Sequence, residues 1–336
     1  MVVDGFSAPA IALGLAALQR GELLGLPTET VYGLAADASD PAAVARIFAA
    51  KGRPAAHPLI VHVADAPGAV HFAASLPGFA RRLVDALWPG PLTLILPRRP
   101  GVATQAAGGH DSIGLRCPSH PVAQDLLRAC AGSGLFGLAA PSANKFGRVS
   151  PTTARHVEEE FGAGLLVLDG GPCDLGIESS IVDCTRGVPV LLRPGTLTLA
   201  AIEQACGVRV LHKDQLSAPT ASAPAASGTL ESHYAPSAKV RLMHWRALKS
   251  ALDLLGRGLD AGDARIAVYA RQPLRPVSDR VLYRRMPDDA LATAQQLFAV
   301  LREFDAQGVR LIWIESPPDE PAWAGVRDRL ERASAG

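Results

Sequence analysis

The chain has 336 residues, of which 48% are hydrophobic and 19% charged, with a formal net charge of +1. That apolar content suffices for a sizeable core, the composition excludes a disordered chain, and the near-neutral balance argues against a protein that lives by non-specific nucleic-acid binding. The five cysteines include no Cys-x-x-Cys pair, so neither a disulfide framework nor a zinc site is suggested.

The helix-like run at 10–18 lacks a basic N-terminal flank, and no apolar stretch approaches a membrane span, so a cytoplasmic protein without membrane association is expected. Apolar runs at 23–26, 59–63, 92–96, 113–116, 135–139, 165–168, 180–183 and 188–192 predict strands. Between them, Asp40-Pro41 reads as an N-cap with Pro at the first helical position, opening a helix to about residue 51. Further helices are predicted at 79–87, 121–130, 152–161 and 199–206. The mixture predicts an α/β domain over 1–212 with a large mixed sheet whose strand order stays open. Residues 214–229 are rich in Ala, Pro and Ser, so 213–237 is taken as a linker. Strands at 240–243, 266–269, 281–283 and 311–314, with helices near 247–255 and 289–304, predict a second, smaller α/β domain over 238–336.

The glycines of Gly132-Ser133-Gly134-Leu135-Phe136-Gly137 match a dinucleotide fingerprint, but here a helix precedes them and a strand follows, the reverse of what pyrophosphate binding needs. No G-x-x-x-x-G-K-[ST] run occurs. Rare residues are more telling. The single asparagine, Asn144, lies in Pro141-Ser142-Ala143-Asn144-Lys145, and the first 210 residues hold only two lysines, Lys51 and Lys145, in a chain with 28 arginines and 5 lysines. An ammonium and a guanidinium are not interchangeable at a charged oxygen.

A lone cation ending a helix ordinarily just faces the dipole. Lys51-Gly52-Arg53-Pro54, followed by His57-Pro58-Leu59-Ile60-Val61-His62, instead combines two cations with turn residues in a rigid positive loop suited to phosphate. Pro27-Thr28-Glu29-Thr30-Val31-Tyr32-Gly33-Leu34 places two hydroxyls and a carboxylate just past a predicted strand. Ser112-Ile113-Gly114-Leu115-Arg116, Ile177-Glu178-Ser179-Ser180-Ile181-Val182-Asp183 and Leu192-Arg193-Pro194-Gly195 add hydroxyls and two arginines. Four cations (Lys51, Arg53, Arg116, Arg193) with hydroxyl donors fit a polyanionic ligand carrying a carboxylate.

In this order the motifs P-T-E-T-V-Y-G-L, K-G-R-P, H-P-L-I-V-H, S-I-G-L-R, P-S-A-N, E-S-S-I-V-D and L-R-P-G, with His233-Tyr234-Ala235-Pro236 in the linker, resemble the long two-domain YrdC-type threonylcarbamoyl-AMP synthases. The resemblance implies a YrdC-like twisted mixed sheet with flanking helices, plus a smaller C-terminal Rossmann-like α/β domain. It implies an ATP-dependent nucleotidyltransferase that joins L-threonine, bicarbonate and ATP into threonylcarbamoyl-AMP and pyrophosphate. That is the first step of tRNA threonylcarbamoyladenosine formation, with Mg2+ accompanying ATP and a tRNA threonylcarbamoyl transferase complex acting downstream. It places Thr30, His62, Arg116, Ala140 (through its backbone) and Ser180 at threonine. Arg53, His57, Ser112, Ser142, Ser150, Arg193 and Tyr234 fall at ATP, and Lys51, Arg53, Ser142 and Asn144 at the electrostatic centre. No metal ligand is implied among the side chains.

The linker, about 80 Å if extended, is expected to bring Tyr234 over the nucleotide as a lid. Three departures from the family pattern stand out: His57 where Asn is frequent, Ser112 for Thr, and Ser227-Gly228-Thr229 where Arg-x-Pro-Gly is frequent. Two rival readings remain. One is the carbamoyl-adenylate chemistry of hydrogenase-maturation carbamoyltransferases, whose additional segments are absent here. The other is a module that binds double-stranded RNA or tRNA directly, which the near-neutral charge disfavours.

Overall fold

Strands as short as those of this sequence hold only when paired, and several of their partners lie far along the chain. The computed structural model describes residues 1–215, 234–255, 265–275 and 278–335. The chain divides into two compact units: Met1–Phe146 with Ser150–Thr229, and Gly147–Val149 with Leu230–Gly336.

The first unit contains, in order, β1 (Val2–Asp4), α1 (Ala8–Gln19), β2 (Leu24–Leu26), β3 (Gly33–Asp37), α2 (Pro41–Lys51), β4 (Ile60–His62), α3 (Ala66–Phe72), α4 (Gly78–Leu87) and β5 (Leu92–Pro97). It continues with β6 (Ser112–Arg116), α5 (Pro121–Gly132), β7 (Leu138–Ala139), α6 (Ala154–Phe161), β8 (Leu166–Asp169), β9 (Ser180–Asp183), β10 (Val190–Arg193), α7 (Leu199–Cys206) and β11 (Leu211–His212). Among the described residues these strands form one 11-stranded mixed sheet of order β1-β8-β2-β3-β7-β4-β6-β5-β9-β10-β11.

Helices cover the sheet on both faces, and side-chain alternation sorts the core. Leu34 and Ala36 of β3 enter the larger cluster, with Val44 and Ile47 of α2 and Leu83 of α4. Ala35 enters the other, with Ala10 and Leu18 of α1 and Leu126 of α5.

Strands β1, β3 and β11 and helices α3 and α10 (Ala324–Ser334) escaped the sequence patterns. Strand β1 has three residues and pairs in parallel with β8, more than 160 residues away. Strand β3 reads Gly-Leu-Ala-Ala-Asp, without β-branched residues. Helix α3 has only seven residues. The strand expected at 135–139 contracts to Leu138–Ala139. Helix α5 precedes it, so the glycine run lies between a helix and a strand, as the sequence order required.

The second unit carries β12 (Lys239–Met243), α8 (Trp245–Leu255), β13 (Ile266–Ala270), β14 (Val281–Arg285), α9 (Ala290–Ala306), β15 (Leu311–Glu315) and α10 (Ala324–Ser334). All its strand pairs are parallel, in the order β12-β15-β13-β14, which gives the expected small Rossmann-like sheet. Gly147–Val149 belongs to this unit although its neighbours in sequence do not. Its bonds explain why: Ala235 N donates to Gly147 O (2.9 Å), and Arg148 reaches Ser237 Oγ (2.6 Å) and Asp305 (3.2 Å). The stretch 216–233, which includes most of the linker, His233 and the Ser227 departure, lies outside the described residues.

Helix α2 shows how local sequence sets up the site. The Asp40 carboxylate caps it by accepting from Ala42 N (2.8 Å), and Gly52 ends it in the left-handed region at φ 66°. That reversal leaves Lys51 on the last turn and sends Arg53 out in a new direction. No atom stands within 4 Å of a Cβ added at Gly52, so its Ala variant meets backbone strain alone. Gly52→Ala is expected to lower stability by about 1 kcal/mol, measured by urea unfolding.

Candidate active site

The lysine singled out by its rarity is buried, at 3% exposure. Its Nζ donates to Ser142 O (2.6 Å) and to Asn144 O, and its own carbonyl accepts from Phe146 N (2.8 Å). Lys51 therefore pins the P-S-A-N loop to the end of α2. Burial, reinforced by the nearby Arg53 charge, lowers its pKa to about 7. A neutral amine supplies two N–H donors and an ammonium three, so both carbonyl bonds survive in either state and the third proton is free to meet an anion.

The same loop is braided into the segment after β2. Ala143 N donates to Tyr32 O (2.8 Å), Leu34 N to Pro141 O (2.7 Å), and Gly33 bridges Ser142. Asn144 is 1% exposed and donates through Nδ2 to Lys145 O (2.7 Å). Lys145 itself is exposed and donates to Ala50 O (2.7 Å) at the end of α2, an ordinary helix-terminus contact. Phe146, which no sequence signal marked, organises the other cation. The Arg53 guanidinium stands 5.7 Å from its ring centroid and the His57 ring 5.6 Å from it, while Arg53 Nη2 donates to Pro58 O (3.0 Å). Burial, with Arg53 second, lowers the pKa of His57.

A second group gathers where β4, β5, β6 and β9 meet. Register pairs His62 with Arg116, Arg116 with Thr93, and Leu92 with Ser180. Arg116 Nη1 donates to Thr30 Oγ1 (2.8 Å), and Thr30 Oγ1 lies 2.9 Å from Thr28 Oγ1. Arg116 Nη2 lies 2.7 Å from Glu29 Oε1, with both side chains 5% exposed. Burial and the Arg116 charge push His62 down to about 3, so its ring is neutral. His62 Nδ1 and Ser180 Oγ are buried with no hydrogen-bond partner among the described residues. Ala140 follows β7, its N–H donating to Ile60 O (3.0 Å), so its carbonyl is its remaining backbone group here.

Arg193 ends β10 opposite Ile181 and donates to Ser179 O through Nε (3.1 Å) and Nη2 (3.0 Å), with Ser179 Oγ 3.3 Å from Nη2. Ser179 Oγ lies 2.8 Å from Thr93 Oγ1, which links Arg193 to the Arg116 row. Ser150 Oγ donates to Glu178.

Ser112 and Tyr234 complete the expected set. Ser112 begins β6 and Arg116 ends it, about 13 Å away at strand spacing. Tyr234 lies in the second unit, 1% exposed at φ 61°, its ring 5.4 Å from that of Phe298 and 5.4 Å from the Arg329 guanidinium. Glu29 was read as the carboxylate of its motif, and Glu178 and Ser179 lay inside a motif read for its hydroxyls, so their type was visible but not their partners. Thr93, in an apolar strand, is found only through register.

Among these site residues four buried cations, Lys51, Arg53, Arg116 and Arg193, face two buried carboxylates, Glu29 and Glu178. Charges removed from water are tolerated when paired or satisfied by a ligand, so this excess selects anions. Glu29 stands against Arg116 and Glu178 against Ser150, and among the described residues no group of His, Cys, Asp or Glu is placed to hold a metal ion.

The family described as "Telomere recombination" (Sua5/YciO/YrdC) matches residues 16–195, and "Threonylcarbamoyl-AMP synthase, C-terminal domain" matches 197–335. The chain is 38% identical to the threonylcarbamoyl-AMP synthase of Pyrococcus abyssi over 94% of its own length and 92% of that protein's. It is 36% identical to that of Bacillus subtilis over 98% and 94%. The crystal structure of P. abyssi Sua5 complexed with L-threonine superposes with a TM-score of 0.84 at 37% identity, covering 96% of this chain and 94% of that one.

The depressed Lys51 has a consequence for stability. Between about pH 7 and its unfolded value of 10.5 the unfolded chain binds more protons at this site, so burial of Lys51 costs most below pH 7 and the cost fades toward pH 10. The stability of the parent chain relative to Lys51→Met is expected to rise between pH 7 and pH 10 as read from urea midpoints, on top of a pH-independent loss in the variant from the Ser142 and Asn144 carbonyls that lose their donor.

Proposed function

From the membership of this chain in the Sua5/YrdC family of threonylcarbamoyl-AMP synthases, we propose that it catalyses ATP-dependent formation of L-threonylcarbamoyladenylate, acting as a nucleotidyltransferase. The observation that carries this reading is the buried cation excess around the P-S-A-N loop, beside a row of hydroxyls and a neutral imidazole. Such a site takes a triphosphate and a small polar carboxylate together.

The threonine amine condenses with bicarbonate to a carbamate, with loss of water. A carbamate oxygen then attacks the α-phosphorus of ATP and pyrophosphate leaves. No protein nucleophile is needed, so positioning and exclusion of water carry the acceleration. Thr30, His62, Arg116, Ala140 and Ser180 hold threonine in this scheme. Neutral His62 and Ser180 have spare capacity for a hydroxyl, and Arg116 suits the carboxylate. Arg53, His57, Ser112, Ser142, Ser150, Arg193 and Tyr234 hold the nucleotide. Lys51 and Arg53, with Ser142 and Asn144, stabilise charge developing on the phosphates. Magnesium enters with the triphosphate as part of the substrate. The product is a labile mixed anhydride, which passes to a transferase that modifies tRNA.

No helix of the described residues is long and apolar enough to cross a membrane. Residues 1–212 form the catalytic domain in this reading, 213–237 a linker and lid, and 238–336 the accessory domain.

Pyrophosphate release should require both threonine and bicarbonate, and Lys51→Ala or Arg53→Ala should reduce it at least 100-fold; release indifferent to threonine would overturn the substrate assignment. Because Lys51 titrates near 7 in the free protein, a bound triphosphate should draw a proton onto it. ATP affinity is then expected to weaken by up to about tenfold per pH unit above pH 7, and the Lys51→Met variant to lose that slope in equilibrium titrations.

A further inference from the structure

Glu29 and Arg116 form a buried ion pair whose facing atoms are close but not aligned as a hydrogen bond. The Nη2 to Oε1 separation is 2.7 Å, yet no N–H of Nη2 is directed at an acceptor, and neither Glu29 oxygen receives a directed hydrogen bond among the described residues. All these atoms are buried. The rest of the guanidinium is fixed, with Nη1 on Thr30 Oγ1 (2.8 Å) and Nε on Gly90 O (3.3 Å). The Glu29 backbone is fixed too, its carbonyl accepting from Leu175 N (2.8 Å).

A buried pair of this kind contributes little to stability by itself, and unsatisfied buried polar atoms are costly. Donors and acceptors left open side by side match a ligand that carries an anion and a cation a few ångströms apart. An amino-acid zwitterion is such a ligand.

We propose that Glu29 and Arg116 form one clamp for the substrate zwitterion, in which Arg116 takes the α-carboxylate and Glu29 recognises the α-ammonium. The inference rests on the threonine reading above and assigns Glu29 as the residue that selects for the amine. Without it, the cation-rich site would favour a plain hydroxy acid over a neutral zwitterion. With it, the site is locally balanced and rejects carboxylates that lack the amine.

The test compares binding of L-threonine and (R)-3-hydroxybutyrate, which keeps the carboxylate and hydroxyl but lacks the amine. The parent chain should prefer threonine by about 100-fold, on the scale of a charge-assisted hydrogen bond in a buried site. Glu29→Gln should cut that ratio to below about tenfold by weakening threonine, while 3-hydroxybutyrate stays within about threefold. ATP titration of the variant checks that the fold persists.

Equal weakening of both ligands would mean that Glu29 merely orients Arg116, and would overturn the clamp. So would a parent preference below tenfold, which needs no variant. Binding of neither ligand by the parent chain would remove the threonine reading, and the clamp with it.

Discussion

A lysine withdrawn from water beside an arginine is the constraint on which the first unit's site turns. Desolvation opposes the charge on Lys51, and Arg53 opposes it further. What keeps the amine in place is a pair of backbone carbonyls, those of Ser142 and Asn144, which accept from it whether or not it carries its third proton. The last turn of α2 is thereby tied to the P-S-A-N loop, and that loop to residues 32–34 by backbone bonds. Removing the amine would leave buried carbonyls without their donor and free two loops at once. Structural and electrostatic roles are therefore inseparable at this position.

The two halves of the site use polar groups differently. Around Lys51 and Arg53 the cations are committed to carbonyls and to the Phe146 ring, so their geometry is set before an anion arrives. Around Arg116, His62 Nδ1, Ser180 Oγ, Arg116 Nη2 and the Glu29 oxygens are buried without directed partners among the described residues. The first arrangement suits charge that develops on phosphates. The second suits a small ligand with several polar groups, each finding its own complement.

The second unit adds a different lesson about chain order. Gly147–Val149 follows the P-S-A-N loop in sequence but packs with residues after 230, through Arg148, Asp305 and the carbonyl of Val149, which accepts from Arg302. Asp305 also accepts from the backbone N–H groups of Ser237 and Ala238 (2.8 and 3.2 Å). One carboxylate thus gathers two segments that sequence spacing keeps almost ninety residues apart. Tyr234, held at positive φ between Phe298 and Arg329, belongs to the same assembly.

The amino-acid sequence alone determined most of the α/β pattern, because apolar periodicity and caps such as Asp40-Pro41 act over a few residues. It also determined which motifs matter, because rare residues beside turns, in a characteristic order, are visible without coordinates. Tertiary structure decided what could not be local. Strand β1 exists only because β8 pairs with it, and Thr93 joins the site only through its register with Arg116. Glu29 was readable as a carboxylate, but its place against Arg116, 87 residues later, follows from how the segment after β2 meets the end of β6. Pairing and burial are properties of positions brought together by folding, and no window of sequence contains both partners.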